Sequence, residues 1–464
     1  LAEEEKQANA SANSHRAFAE KIEREAAAAQ AAILAAEKKK AREEEMARKA
    51  AEAQAAFDAL MPPVFDAPFM IAYWGGPSKA DTTLERYQEI ADCGFNVAFP
   101  AFDNLWQPAD EAQEQHNKTY LDLCQQVGLK ALVWDGNMGQ PEGWKPPTAE
   151  EIPAIEKAMD GIIARHASHP ALLGYVVCHE PDREAFARIG VINKYLLEKD
   201  PNHLPFITLM PNYAGTENSD WRGRAYERSV SSYLEEVTPA LLSWEHFRQM
   251  LESGDERYYW ENLEIMRRNG LARKTPYFQI IASLKHMGYR ECSETDLRWQ
   301  VWTSLAYGTR GIAYYTYSPG TEDAPALLTQ DGQRDVKWDY VKKINQRIAQ
   351  LGPTLVKLKS TGVYCTNPRP IGTQRRDADA PVKKATGGSL AIGFFEDAEG
   401  AIYILPVNRS FRSSITAKLT LDESYASAAE ISQETGDALA DVSVSEQALE
   451  VPLEAGEGKL FRLK

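Results

Sequence analysis

Between residues 64 and 350, short apolar runs alternate with helically periodic segments about eight times. A brief apolar run bounded by turn residues reads as a buried strand, and apolar residues three and four apart read as an amphipathic helix. The pattern places strands at 69–74, 96–101, 130–135, 172–180, 206–212, 241–246, 277–283 and 312–317. Three helix starts carry a reciprocal capping signal: Thr82 with Glu85, Thr148 with Glu151, and Ser293 with Asp296. Gly308 is expected to stop the helix that Ser293 begins. Repeated strand–helix units over about 290 residues predict a (β/α)8 barrel of the TIM type, an α/β fold. A doubly wound sheet is the rival architecture, but no GxGxxG turn follows the first strand.

The flanks read differently. Residues 1–61 contain no Gly or Pro and are rich in Ala, Glu, Lys and Arg, a helix-favouring composition. Ile22, Ala26, Ala29 and Ile33, then Met46, Ala50, Ala53, Phe57 and Leu60, recur at helical spacing. A long α-helical segment is expected there, ended by Pro62-Pro63. It is either a solvated spacer or a coiled coil through which the chain oligomerises or docks on the barrel. After Leu351-Gly352-Pro353, strand-like runs at 390–395, 401–407, 415–421 and 449–453 are separated by Gly, Asp, Asn and Ser, which predicts a small C-terminal antiparallel β-sandwich. The expected division is therefore 1–61, 62–352 and 353–464.

Composition narrows the function classes. The chain has 464 residues, 44% hydrophobic and 26% charged, enough to bury a sizeable core. A formal net charge of -15 argues against nucleic acid, though a local basic pocket could still receive an anionic sugar. No run of 18 apolar residues is present, so no transmembrane segment is expected. The sequence begins with Leu, which a removed signal peptide or a trimmed sequence explains, and a secreted or periplasmic location is the expectation. Cys93, Cys124, Cys178, Cys292 and Cys365 form no CxxC motif. Cys93 and Cys178 sit in apolar runs and read as buried thiols; there is room for one disulfide but no framework. No cofactor is implied.

Active sites of such barrels lie at the C-terminal strand ends. Here those ends carry Trp74, Asp103, Trp134 with Asp135, His179 with Glu180, Asn212 with Tyr213, Trp244 with Glu245 and His246, Gln279, and Tyr317. Sugars need both kinds of residue in that set: flat apolar faces to stack on and carboxylates for proton transfer. Glu180 stands out, because a buried strand (172–180) ends in a carboxylate followed by Pro181, which stops the ladder. A carboxyl partly desolvated there has a raised pKa and can protonate a leaving oxygen. The plainer role is a structural Glu that caps a helix or pairs across strands.

His169-Pro-Ala-Leu-Leu-Gly-Tyr-Val-Val-Cys-His-Glu-Pro181 resembles the fourth-strand motif of clan A glycoside hydrolases, in which (Asn/Asp/His)-Glu-Pro supplies the acid/base. Arg298-Trp299-Gln300 and Gly311-Ile312-Ala313-Tyr314-Tyr315-Thr316-Tyr317 are similar to the last helix and strand of β-galactosidase-related barrels, and the tail around 456–461 is similar to the β-sandwich that follows them. The resemblance implies Glu180 as acid/base. It also implies a nucleophilic Glu ending strand seven, but 277–286 holds no carboxylate before Glu291.

Strand six ends in Glu245, which becomes the candidate second carboxylate: a nucleophile at about 5–5.5 Å from Glu180, or a base for water at about 6.5–9.5 Å. Asp135 and Glu291 are in reserve. Hydrogen bonding is expected of His179 and His246, since zinc would need a third ligand and no HExxH is present. Trp74, Trp134, Trp244 and Tyr317 are candidates to line sugar subsites or simply to pack the barrel. Lys285 and Arg290 either receive a sulfate or carboxylate on the sugar or are solvated loop charges. Asn212-Tyr213 opens an expected long loop to Val237, with Trp221, Arg222 and Arg224, that shapes the cleft. The expected activity is hydrolysis of a glycosidic bond in a poly- or oligosaccharide. The alternatives are a non-catalytic carbohydrate-binding scaffold on a degenerate barrel, and a polysaccharide lyase with a Tyr or His base.

Overall fold

The computed structural model describes residues 68–464 apart from 140–142, 215–223, 252–256, 378 and 444–447, together with scattered positions between 30 and 48. Those scattered positions are helical and exposed, Ile33 and Leu34 being 60% and 52% accessible. The rest of the expected N-terminal helix, with its other apolar positions, lies outside the described residues.

Eight strands each precede a helix: β1 (Met70–Trp74), α1 (Leu84–Asp92), β2 (Val97–Ala98), α2 (Glu111–Val127), β3 (Lys130–Val133), α3 (Ile152–His166), β4 (Leu172–His179), α4 (Phe186–Lys199), β5 (Leu204–Leu209), α5 (Arg224–Glu236), β6 (Leu242–Glu245), α6 (Arg257–Ala272), β7 (Tyr277–Ala282), α7 (Glu294–Ala306), β8 (Gly311–Tyr315) and α8 (Val336–Leu355). The strands are parallel and close into a barrel in chain order, β1 joining β8 from Met70↔Gly311 to Trp74↔Tyr315. They are buried on both faces, which is why they appear as continuous apolar runs; β5 and β7 are buried at every residue. Gly174 permits the β4–β5 approach, since a Cβ there would stand 2.0 Å from the Leu204 carbonyl oxygen.

Several expected boundaries move. The cap of α1 is Thr83, whose side chain accepts from the Arg86 N–H, because the Thr82 hydroxyl is turned back to the Ser78 carbonyl. In α7 the Ser293–Asp296 capping box is present, and Gly308 follows with φ 85°. β5 begins two residues early, taking in Pro205 near its start, where Pro is tolerated, and it leaves the sheet before Asn212. The long loop expected from Asn212 to Val237 is shorter: α5 occupies Arg224–Glu236, burying Tyr226, Val230, Tyr233 and Leu234 at helical spacing. Trp221 and Arg222 lie outside the described residues. α8 continues through Pro353 to Leu355 instead of breaking at Gly352. Gly352 has no Cβ to clash with the proline ring, so the last turn survives.

Beyond α8 come β9 (Lys359–Cys365), β10 (Val382–Thr386), β11 (Leu390–Glu396), β12 (Ile402–Asn408), β13 (Ile415–Leu421), β14 (Ser427–Glu430), β15 (Val442–Ser443), β16 (Ala448–Leu453) and β17 (Phe461–Leu463). They form antiparallel sheets ordered β10-β13-β16 and β15-β14-β17-β12-β11-β9, with Val382, Ile392, Ile404, Leu419 and Val451 in a shared core. Barrel and sheets meet at α7. Trp299 donates its indole N–H to the Arg409 carbonyl at 3.2 Å, Arg298 pairs with Glu454, and Gly393 passes so close that a Cβ would stand 2.2 Å from the Ala306 carbonyl oxygen. All five cysteines are buried, and none is in a disulfide. Among the described residues, no helix is long and apolar enough to cross a membrane.

Candidate active site

Glu180 is the residue at which β4 leaves the sheet. Its N–H donates to the Thr208 carbonyl at 2.8 Å and its φ is 50°, a conformation rare outside glycine that turns the side chain away from the strand's own alternation. Glu245 ends β6. Two residues earlier, Ser243 donates to the Thr208 hydroxyl at 3.1 Å inside the barrel, so Glu245 shares the inward face and Trp244 takes the opposite one. His179 stands beside the carboxyls: its ring stacks on Trp74 (4.6 Å between centroids, 24°), and its Nε2 is 3.3 Å from Glu245 Oε2. One ligand atom from each of His179, Glu180 and Glu245 falls within 4.8 Å of the other two.

The electrostatics follow from burial. Desolvation is the largest cause raising the Glu180 carboxyl, and the neighbouring Glu245 charge adds to it. Burial also raises Glu245, but a hydrogen bond from Glu180 offsets part of that rise. The proton therefore rests on Glu180 and is shared toward Glu245. Burial lowers His179, which favours the neutral imidazole beside them. Among the described residues, Glu245 makes its one ion-pair contact with His179, and neither carboxyl pairs with Lys or Arg. An acid beside a carboxylate, both desolvated, is a set that can give and accept a proton or attack an electrophilic carbon. The structure also supplies the third ligand that zinc would require: one imidazole and two carboxylates are donors suited to a divalent transition ion.

The other expected residues divide. Trp74 forms part of the floor beneath His179, against Phe99 and Phe206. Tyr213 meets His246 edge-on at 4.8 Å and accepts the Phe247 N–H; its hydroxyl lies near Glu245, one of several groups that raise its pKa. His246 is fully buried and bonds Gln249. Trp134 is buried and donates to the Gln107 carbonyl. Asp135 is held by Arg165, His166 and Asn137 and kept well below the usual carboxylate range by these hydrogen bonds, so it is committed to internal structure. Asp103 is exposed and accepts the Lys79 N–H. Asn212 is buried beside α6, bonding Tyr258 and Glu261. Trp244 and Gln279, register partners on β6 and β7, are fully buried; Gln279 accepts from Ser304 on α7.

Three expectations change outright. Tyr317 is buried and donates to Glu89, because β8 ends at Tyr315 and the chain then turns outward. Arg290 is spent on both oxygens of Asp296, leaving Lys285 as the exposed cation of that pair. Glu291 accepts from Lys337 at 2.5 Å, away from the carboxyl pair.

Residues missed in the sequence complete the mouth. Tyr315 senses the charges of Glu245 and Glu180, and packs against Phe247 and His286, each 5.1 Å away. Strand parity was the available signal: Tyr314 bonds Asn345 on the outer side, so Tyr315 faces in. Trp106, from the β2–α2 loop, lies 6.2 Å from His179 at 25°. Nothing in the sequence pattern marked it.

No family model matches the sequence, and no curated protein does. Solved structures similar to this chain include a β-galactosidase from Marinomonas ef1, 9% identical with a TM-score of 0.45, covering 59% of each chain. Others are a glucosidase from Croceicoccus marinus, 10% identical with a TM-score of 0.44, over 86% of this chain and 95% of that one, and a family 30 glycoside hydrolase, a xylanase, from Clostridium acetobutylicum, also 10% identical at 0.44, over 86% and 97%.

Proposed function

We propose that the protein is a glycoside hydrolase acting on an oligo- or polysaccharide with retention of anomeric configuration. Glu180 is the acid/base and Glu245 the nucleophile. The observation that carries this reading is the convergence of two buried carboxyls at the ends of β4 and β6, with an oxygen of each within 4.8 Å and, among the described residues, neither paired with Lys or Arg. Carboxyls whose nearest oxygens lie within 4.8 Å and share a hydrogen bond are closer than the roughly 6.5–9.5 Å that leaves room for the water of an inverting enzyme, which favours retention.

The chemistry runs in two steps. Glu245 attacks the anomeric carbon while Glu180 gives its proton to the departing oxygen, leaving a glycosyl ester on Glu245. Glu180, now ionised, takes a proton from water, which opens that ester and restores both groups. His179, neutral and stacked on Trp74, holds Glu245 in place through its 3.3 Å contact. A secreted or periplasmic setting fits an enzyme that meets polysaccharide, and an anionic substrate would find Lys285 at the rim.

The test is a screen of polysaccharides for reducing-end release, repeated with Glu180→Gln. Turnover in that variant is expected to fall about 10²–10⁴-fold with substrate binding retained; undiminished turnover would sink the assignment. A chelator is expected to leave the wild-type rate unchanged. Loss of activity on chelation, restored by zinc, would instead favour hydrolysis at a metal held by His179, Glu180 and Glu245.

A further inference from the structure

Trp106 packs against the edge of the core at the barrel mouth while staying only partly buried. Its backbone has φ 62°, a left-handed conformation that a bulky residue keeps only where its surroundings impose it, and such residues gather at binding and catalytic sites. Its indole is half-buried. The edge-on contact with Trp134, 4.5 Å between centroids at 69°, anchors it from the side. Its plane lies within 25° of the His179 imidazole, which is itself within 24° of Trp74. The His179 ring is thus stacked with one indole from β1 and one from the β2–α2 loop, and Glu180 follows His179 in the chain. Glu180 has a left-handed backbone too, so two strained residues flank one imidazole.

The topology sets the direction. Glu245 ends β6, four strands round the ring from β2, so it and Trp106 belong to opposite walls. A glycosidic bond seated between the carboxyls puts its anomeric carbon toward Glu245 and its leaving oxygen toward Glu180. The sugar beyond that oxygen then comes to the Trp106 side. We propose that Trp106 is the stacking platform for the leaving-group sugar, a positioning and specificity-determining residue that selects a pyranose with an unsubstituted apolar C–H face. The proposal rests on the glycosidase reading above.

The experiment uses the full chain carrying Glu180→Gln, titrated calorimetrically with xylo-, cello- and galacto-oligosaccharides. Adding Trp106→Ala is expected to weaken binding about tenfold or more, and Trp106→Phe to recover most of it, because a flat apolar ring is what the site requires. In the otherwise wild-type enzyme, Trp106→Ala should raise KM for an oligosaccharide by a larger factor than it changes the rate on the glycosyl fluoride of the same sugar, which has no leaving sugar. Equal affinity with and without the indole overturns the platform and leaves the glycosidase reading standing, since that reading is tested by the turnover of Glu180→Gln. Equal loss on the oligosaccharide and the fluoride overturns the leaving-group assignment. If no oligosaccharide binds the Glu180→Gln chain, the platform falls, whatever the wild type hydrolyses.

Discussion

At the residue scale, the site is built around a carboxyl kept protonated against its ordinary tendency. On the proposed mechanism, turnover needs Glu245 ionised and Glu180 protonated, so the rate should rise as pH passes the value of Glu245 and fall as it passes that of Glu180. Both are raised by burial, Glu180 the more, and the pH optimum of kcat/KM is expected at neutral to mildly alkaline pH. An optimum near pH 4–5, where free carboxyls titrate, would contradict it. Stability carries the opposite sign from the usual carboxylate. A folded pKa above the unfolded one means the native state binds more protons between the two values, so stability falls as pH rises through that window. Glu180→Gln removes the group responsible. Its Tm is expected to exceed that of the wild type by about 1–3 °C at pH 8, with the gap closing toward pH 4, a shift readable by calorimetry at the two pH values.

At the element scale, parity and termination decide which side chains reach the mouth. Glu245 and Trp244 are adjacent on β6, yet only the first faces inward. Tyr315 and Tyr317 both lie near the end of β8, yet the strand stops between them. Both distinctions depend on which face each position presents, which the apolar pattern locates only to within a residue or two. α7 shows what a legible signal looks like: Ser293 and Asp296 cap each other, and Arg290 grips the same Asp296 carboxylate. Asp296→Ala removes the cap and the two-oxygen contact with Arg290, and is expected to lower unfolding stability by about 2–4 kcal/mol, seen as a reduced urea midpoint with an unchanged slope. A shift under about 0.5 kcal/mol would show that the box is ornamental.

At the scale of the whole molecule, α7 belongs to two bodies. Ten of its residues from Asp296 to Ala306 are buried, because the barrel covers one side and β11 and β12 the other. A helix covered on both sides in this way would expose Trp299, Val301, Trp302 and Leu305 if either body left, so barrel and sheets need each other. Calorimetry is expected to show one cooperative transition for residues 68–464; two resolved transitions would separate the bodies. The interface carries Trp299 and Arg298 rather than any residue of the mouth, which keeps its role in stability distinct from the chemistry.

The order of elements was local information. Alternating apolar runs, capping pairs and turn residues act within a few positions, and they are enough to name a barrel followed by antiparallel sheets and to pick Glu180 from a strand that ends in Glu-Pro. The departure from the expected seventh-strand carboxylate was legible as well, because it is an absence within 277–286. The closing of distance was not. That Glu245 meets Glu180, that Asp135 is taken by Arg165 and His166, that Arg290 is consumed by Asp296, and that Trp106 stands over His179 all depend on how strands far apart in the chain curve round one axis and where each lets go of its neighbour. Desolvation, which raises the two carboxyls, exists only once that closure has excluded water.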